Sequence, residues 1–149
     1  MIRKVFVIKS ESKYLGPLRK KLDSFLKKKN FSLKDRSNFL LVIGEACTNS
    51  IRHAYQGKKG GQIRVALQDQ RTKIVFRIRD YGQKIDLSRI KTPRLPPKKP
   101  HGLGIYLLKT MMDQLKYNTT HVRGNELILT KYKEGGAREG SYQKHCPRH

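Results

Sequence analysis

Three short clusters in this chain combine residue types and spacings that can do chemistry. Glu45, Asn49 and His53 fall at i, i+4 and i+8, which lines up a carboxylate, a carboxamide and an imidazole along a helix. Leu40, Val42, Ile43, Ala46, Cys47, Ile51 and Ala54 crowd either side of that line. It is either a narrow solvent stripe on a buried helix or a ligand line. In the second case the Asn49 amide oxygen serves as a hard-cation ligand and Glu45, one turn away, as a base. The second cluster is Asp80-Tyr81-Gly82, where a strand over Lys73 to Arg79 runs out. An Asp at a strand end can point one carboxylate into a cleft while the following Gly lets the backbone approach a ligand, although Asp-x-Gly also makes ordinary turns. The third is His101-Gly102-Leu103-Gly104, opening a helix after a basic loop. Free N–H groups and the helix dipole make such a junction an anion site, and the same glycines also serve a chain that simply enters a helix. The third glycine of the dinucleotide fingerprint is absent, and no P-loop is present.

These clusters need elements to hold them. Val5 to Ile8 reads as an opening strand, and Leu15, Leu18, Leu22, Phe25 and Leu26 recur at helical spacing, predicting an amphipathic helix from Tyr14 to Lys29 with a basic outer face. Ser32 and Asp35 have capping-box spacing and open a second helix that runs to about Tyr55, where Gly57 and Gly60-Gly61 interrupt it. Ile63, Val65 and Leu67, then Ile74, Phe76 and Ile78, alternate with mostly polar residues and predict a hairpin. Gln83 to Pro100 holds four prolines and many basic residues without periodicity, so a long loop is expected there, and long loops in compact domains are usually functional. A third helix is expected from Gly102 to about Gln114, then a second hairpin of Lys116 to Val122 and Glu126 to Tyr132, turning at Arg123-Gly124-Asn125. After Lys133 the chain is polar and Gly-rich, and disorder is expected over residues 134–149. Helices gathered beside a mostly antiparallel sheet make an α+β, two-layer sandwich with the helices on one face, in one domain over residues 1–133.

The composition narrows the function classes. Lys and Arg number 34 against 11 Asp and Glu, a formal net charge of +23 over 149 residues, so an acidic partner or ligand is expected. No run of eighteen apolar residues exists, and the two cysteines have neither metal-ligand spacing nor a disulfide framework. These features exclude a membrane-spanning helix and a disulfide scaffold, and point to a cytosolic, reducing location. Cys47 is expected as a small core residue and Cys146 as a tail thiol. Nucleic acid is disfavoured as a partner because the charge is dispersed and the aromatics fall mostly at core-like positions.

Taken together, in order and spacing, the clusters resemble the Bergerat-fold ATP-binding domain of the histidine-kinase, heat-shock-chaperone, type II topoisomerase and mismatch-repair superfamily. Glu45 to Tyr55 resembles its N box, Asp80-Tyr81-Gly82 its first glycine box and Gly102-Leu103-Gly104 its second, over a span from Val5 to Tyr132. Within it, the Glu-Ala-x-x-Asn-x-x-x-His-Ala-Tyr form, the Asp-x-Gly-x-x-Ile-Asp run ending at Asp86 and Gly-Leu-Gly-Ile-Tyr-Leu-Leu-Lys are most similar to the anti-sigma-factor serine/threonine kinases. That resemblance implies ATP and Mg²⁺ as cofactors. Asn49 would hold the metal, Glu45 would act on the attacking hydroxyl, and Asp80 would accept the adenine amino group. Gly82 would admit the purine, and Gly102, Leu103 and Gly104 would cradle phosphate. Asn125 falls where relatives often carry a Thr near adenine, His53 would be a hydrogen-bonded structural residue, and Gln83 to Pro100 would be the lid over ATP. The implied partners are an antagonist protein phosphorylated on serine and a sigma factor or other acidic protein, and relatives often form homodimers. A nucleotide-dependent binding switch without kinase activity, or a basic domain associated with nucleic acid, are the alternatives. The lysines of the first helix exceed what ATP needs and predict an acidic protein surface opposite them.

Overall fold

The computed structural model describes residues 1–86 and 108–134. The opening strand, β1, runs Ile2–Lys9, three residues earlier than its apolar core suggests. Arg3 and Lys4 hide its start in the sequence, yet both pair in register with the next strand, Arg3 opposite Gln68 and Lys4 opposite Leu67. A single 3₁₀ turn at Ser12–Tyr14 leads into α1, Leu15–Lys28, which buries Leu15, Leu18, Leu22 and Leu26 and leaves its lysines outside. Helix α2, Leu33–Asn49, starts as its capping residues require: the Ser32 hydroxyl accepts the Asp35 N–H at 3.1 Å. It then passes without a break into a π-helical turn, Ser50–Ala54, closed by the Tyr55 N–H donating to the Ser50 carbonyl at 3.0 Å.

Two strands, β2 (Gln62–Asp69) and β3 (Lys73–Asp80), form the expected hairpin, and β5 (Glu126–Tyr132) and β4 (Gln114–Tyr117) complete the sheet. Its order is β1-β2-β3-β5-β4, and every pairing is antiparallel. The period of two puts Ile63, Val65, Leu67, Ile74, Phe76 and Ile78 on the helix side, all essentially inaccessible, while Arg64, Ala66, Arg77 and Arg79 face the other way. The expected α+β two-layer sandwich, with helices on one face of an antiparallel sheet, is the observed architecture.

Two boundaries near the end differ from expectation. Among the described residues the third helix occupies positions 108–111 and is over before Asp113, whose N–H already donates to the Thr130 carbonyl and whose carboxylate accepts the Tyr132 N–H. The following strand therefore begins at Gln114 and not Lys116. It also ends at Tyr117 and not Val122, because the Asn118 side chain takes the Thr120 N–H and hydroxyl and donates to Glu126, making a turn. Gly102, Leu103 and Gly104, most of the expected lid, and the tail beyond residue 134 lie outside the described residues. No helix among the described residues is long and apolar enough to cross a membrane.

The core is centred on Phe76, which is fully buried and stacks at a tilt on Phe39 of α2 with ring centroids 5.1 Å apart. Phe76→Ala is expected to cost about 3–5 kcal/mol of unfolding free energy, read from urea melts, since the lost contacts and the cavity add. Cys47 is buried in the same core as expected, and burial pushes its thiol up to about 12, with the Arg19 charge acting the other way. That thiol is inert packing.

Candidate functional site

Asp80 is placed by strand periodicity. It shares the parity of Ile74, Phe76 and Ile78, so its carboxylate points beneath the helices, and only 2% of the residue is exposed. A carboxylate there must be given donors. Its Oδ1 accepts the Gly82 N–H at 3.2 Å, the Asn125 N–H at 3.2 Å and the Asn125 side-chain amide at 3.0 Å. Its Oδ2 accepts the Ser50 hydroxyl at 3.1 Å. One oxygen is thus saturated, while among the described residues the other accepts a single hydrogen bond and retains acceptor capacity.

Ser50 joins the first cluster to the second. It follows Asn49 directly at the start of the π turn, where a wider turn carries its hydroxyl onto Asp80. The same turn explains a departure from the expected ligand line. Glu45 and Asn49 lie one α-turn apart and are both half-buried, but His53 belongs to the π turn, leaves their register and is exposed. Among the described residues the His53 side chain makes no hydrogen bond.

The first glycine box is docked on the end of that turn. The Gln83 N–H donates to the Ala54 carbonyl at 2.7 Å, the Gln56 and Gln83 side chains meet at 2.8 Å, and the Tyr81 N–H donates to the Tyr55 hydroxyl at 2.9 Å. Tyr55 also donates to the Gln62 carbonyl, and burial is the main reason its hydroxyl titrates above the ordinary tyrosine value. Gly82 has a packing reason to be glycine: an added Cβ would sit 2.5 Å from the Ala54 carbonyl oxygen. In the described structure the close approach that Gly82 permits is to Ala54.

Asn125 does more than border the site. Its amide donates to Asp80 and to the Gln83 carbonyl at 2.9 Å, and its oxygen accepts the Ile85 N–H at 2.8 Å, so it ties the buried acid to the first residues of the expected lid. Both of its donors are engaged within the chain. Gly124 makes this possible with φ of +73°, and a Cβ there would come within 2.1 Å of the Asp80 carbonyl oxygen. On the opposite face Arg79 reaches the Asp80, Asn125 and Arg123 carbonyls and lies over the Tyr81 ring at 4.4 Å, clamping the same turn. Gly124→Ala is expected to lose about 3 kcal/mol or more, seen as a lower melting temperature, because strain at positive φ adds to a backbone clash.

Ser50, Tyr55 and Arg79 had no assigned role in the sequence. The signal for Ser50 was available: a hydroxyl between Asn49 and Ile51 on the most apolar helix needs a buried partner.

Two motifs 30 residues apart therefore converge on one buried carboxylate. The family model described as Histidine kinase-like ATPase domain matches residues 8–131, which includes every element from α1 to β4 and nearly all of β5. The chain belongs to this family. Serine-protein kinase RsbW of Bacillus licheniformis is 30% identical over 132 residues, 83% of this chain and 81% of its own. Proteins of the same name from Bacillus velezensis and Bacillus subtilis are 28% and 27% identical over 137 and 139 residues, each covering 86% of this chain and 84% of the relative. The family that the three clusters resemble is thus the one to which the chain belongs, and ATP is the nucleotide that a histidine kinase-like ATPase domain uses.

The donor set of this histidine kinase-like ATPase domain suits Mg²⁺ bound together with phosphate. Among the described residues no group of three or more His, Cys, Asp or Glu side chains is arranged to hold a metal by itself. Magnesium needs only one or two protein oxygens when phosphates supply others, and the half-buried Asn49 amide, with Glu45 one turn away, fits that demand.

Proposed function

We propose that this protein is a serine-protein kinase of the anti-sigma-factor type, working in the cytoplasm. It transfers the γ-phosphoryl group of ATP to a serine of a small antagonist protein and binds a sigma factor or similar acidic partner reversibly. The observation that carries this reading is the Ser50 to Asp80 hydrogen bond of 3.1 Å, which brings the helix bearing Glu45 and Asn49 against the buried acid. The relatives named serine-protein kinase, aligned over most of their length, support it.

In this reading Asp80 accepts the adenine amino group on Oδ2, the oxygen with spare capacity. Asn125 and Gly82 keep the carboxylate aimed, and Asn125 anchors the lid at Ile85. Asn49 would hold Mg²⁺ through its amide oxygen, and the metal would supply charge neutralisation to the phosphates. Glu45 orients the serine hydroxyl of the substrate and takes its proton as the new P–O bond forms and ADP leaves. Gly102, Leu103 and Gly104 are assigned to phosphate, which their backbone N–H groups would bind.

The test is to incubate the purified protein with Mg²⁺, γ-labelled ATP and a candidate antagonist protein from the same genome. Label on a serine of that protein is expected. Nucleotide binding with no ADP formed and no label transferred would leave a binding switch in place of a kinase.

A further inference from the structure

The face of the sheet turned away from the helices holds a basic hollow of about 340 Å³ that the Asp80 site does not use. Ala66, in the middle of β2, lies at its centre, and Arg64, Arg77 and Arg79 line it, with Arg3 on the β1 side. Strand register builds it. Arg64 stands directly opposite Arg79, and Ala66 directly opposite Arg77. Opposed positions are about 5 Å apart and diagonal ones about 7–8 Å, so three arginine stems rise around one methyl group. Like charges set opposite each other destabilise a sheet, and packing does not call for them on a solvent face.

The positive charge is only partly answered within the chain. Glu126 is the one carboxylate lining the hollow, and Asn118 at 2.9 Å, Arg77 at 3.4 Å and His121 at 3.5 Å already engage it. Arg79 is spent on the Asp80, Asn125 and Arg123 carbonyls. Arg64 is exposed, and among the described residues it has neither a hydrogen bond nor an ion pair.

The residue types narrow the ligand. Lysine is the commoner base in the chain, yet arginine alone of the two lines this hollow. Its planar fork meets phosphate oxygens two at a time, which an ammonium group does not. An extended peptide has no ladder to join here, because β2 and β3 are each paired on both sides. Nucleic-acid bases lack a stacking platform, since Tyr81, the aromatic that reaches the hollow, has Arg79 over its ring at 4.4 Å. We propose that this hollow binds a small polyphosphate, with separate phosphates of one ligand held by Arg64 and Arg77 across Ala66. This does not rest on the kinase reading, because the ligand lies on the other face of the sheet from the Asp80 carboxylate.

The experiment titrates the isotope-labelled full chain with inorganic tripolyphosphate in the absence of Mg²⁺, following backbone amides and arginine Nε–H groups by NMR. Orthophosphate and a pentaglutamate peptide serve as control ligands. Shifts are expected in Gln62–Asp69, in Lys73–Asp80 and at the Arg64 and Arg77 side chains, with affinity at least about tenfold above either control. Arg64→Gln should weaken binding about tenfold with an unchanged thermal melt, since it breaks no contact within the chain. Arg64→Lys should fail to restore it, and Ala66→Leu, which fills the centre at unchanged charge, should weaken it about as much as Arg64→Gln. Wild-type affinity in both Arg64→Gln and Ala66→Leu would overturn the site. Equal weakening by Lys20→Gln with Lys21→Gln would show diffuse attraction to charge, and equal affinity for pentaglutamate would show a site that does not read phosphate; either result overturns the proposal. Shifts confined to residues around Asn49 and Asp80 would place the ligand in the nucleotide site and overturn it as well.

Discussion

Asp80→Asn is expected to fold normally and to lose ATP. The reason is the unequal load on the two carboxylate oxygens. Oδ1 accepts three N–H donors, from Gly82 and twice from Asn125, so in the variant the amide oxygen must occupy that position. The NH₂ group then takes the place of Oδ2, where the Ser50 hydroxyl can rotate from donor to acceptor. The internal network survives at a cost of about 1 kcal/mol. A ligand amino group aimed at Oδ2 now meets a donor, and a site built for one hydrogen-bonding pattern rejects the wrong one strongly, so ATP affinity should fall about 100-fold or more. Because guanine offers a carbonyl where adenine offers an amino group, the preference for ATP over GTP should narrow in the same variant. Titration calorimetry with both nucleotides, beside a thermal melt, separates these effects. An unchanged ATP Kd in a folded variant would remove adenine recognition from Asp80. Asp80→Ala is the contrasting case: it strands the Ser50 and Asn125 donors in a nearly inaccessible site and should cost about 3 kcal/mol or more of stability as well as binding.

Where the sequence was legible, one physical rule acted alone. Period-two alternation in β2 and β3 assigned the buried face correctly, and continuing the count by two from Ile78 reaches Asp80, so the burial of the acid was implicit in the strand. The cap of α2 was equally local, since Ser32 and Asp35 need no tertiary partner. Failures came where tertiary pairing overrode local pattern. Arg3 and Lys4 look like a tail, yet eight-residue pairing with β2 makes them strand. Asp113 looks like the last turn of a helix, but its bonds to Thr130 and Tyr132 place it in the sheet. The site shows the same division. The residue types at Glu45, Asn49 and Asp80 announced chemistry, whereas the π turn that removes His53 from their line and delivers Ser50 to Asp80 has no signature in a 3.6-residue period. The resemblance singles out Asn125, but its bonds to Asp80, Gln83 and Ile85 depend on the turn at Gly124 coming against the end of β3, a tertiary contact that local spacing does not encode.

Glu45→Gln and Asn49→Ala are expected to separate chemistry from binding. Both side chains are half-buried on the last turns of α2, and the Ser50 anchor immediately after Asn49 fixes this end of the helix against Asp80. Glutamine at 45 keeps the shape and hydrogen-bonding reach of the side chain but cannot take a proton, so ATP affinity should change by no more than about twofold while phosphoryl transfer in a single turnover falls about 10³-fold. Alanine at 49 removes the amide oxygen assigned to Mg²⁺. The loss should therefore appear first in binding, as a fall in the Mg²⁺-dependent part of ATP affinity, and transfer should fall with it. Asn49→Asp retains an oxygen ligand and should recover part of both. The two residues stand one helical turn apart, so a merely structural role would make the variants behave alike, each lowering the melting temperature without splitting affinity from rate. Full transfer activity in Glu45→Gln, or Mg²⁺-dependent ATP binding untouched in Asn49→Ala, would take the corresponding role away from that residue.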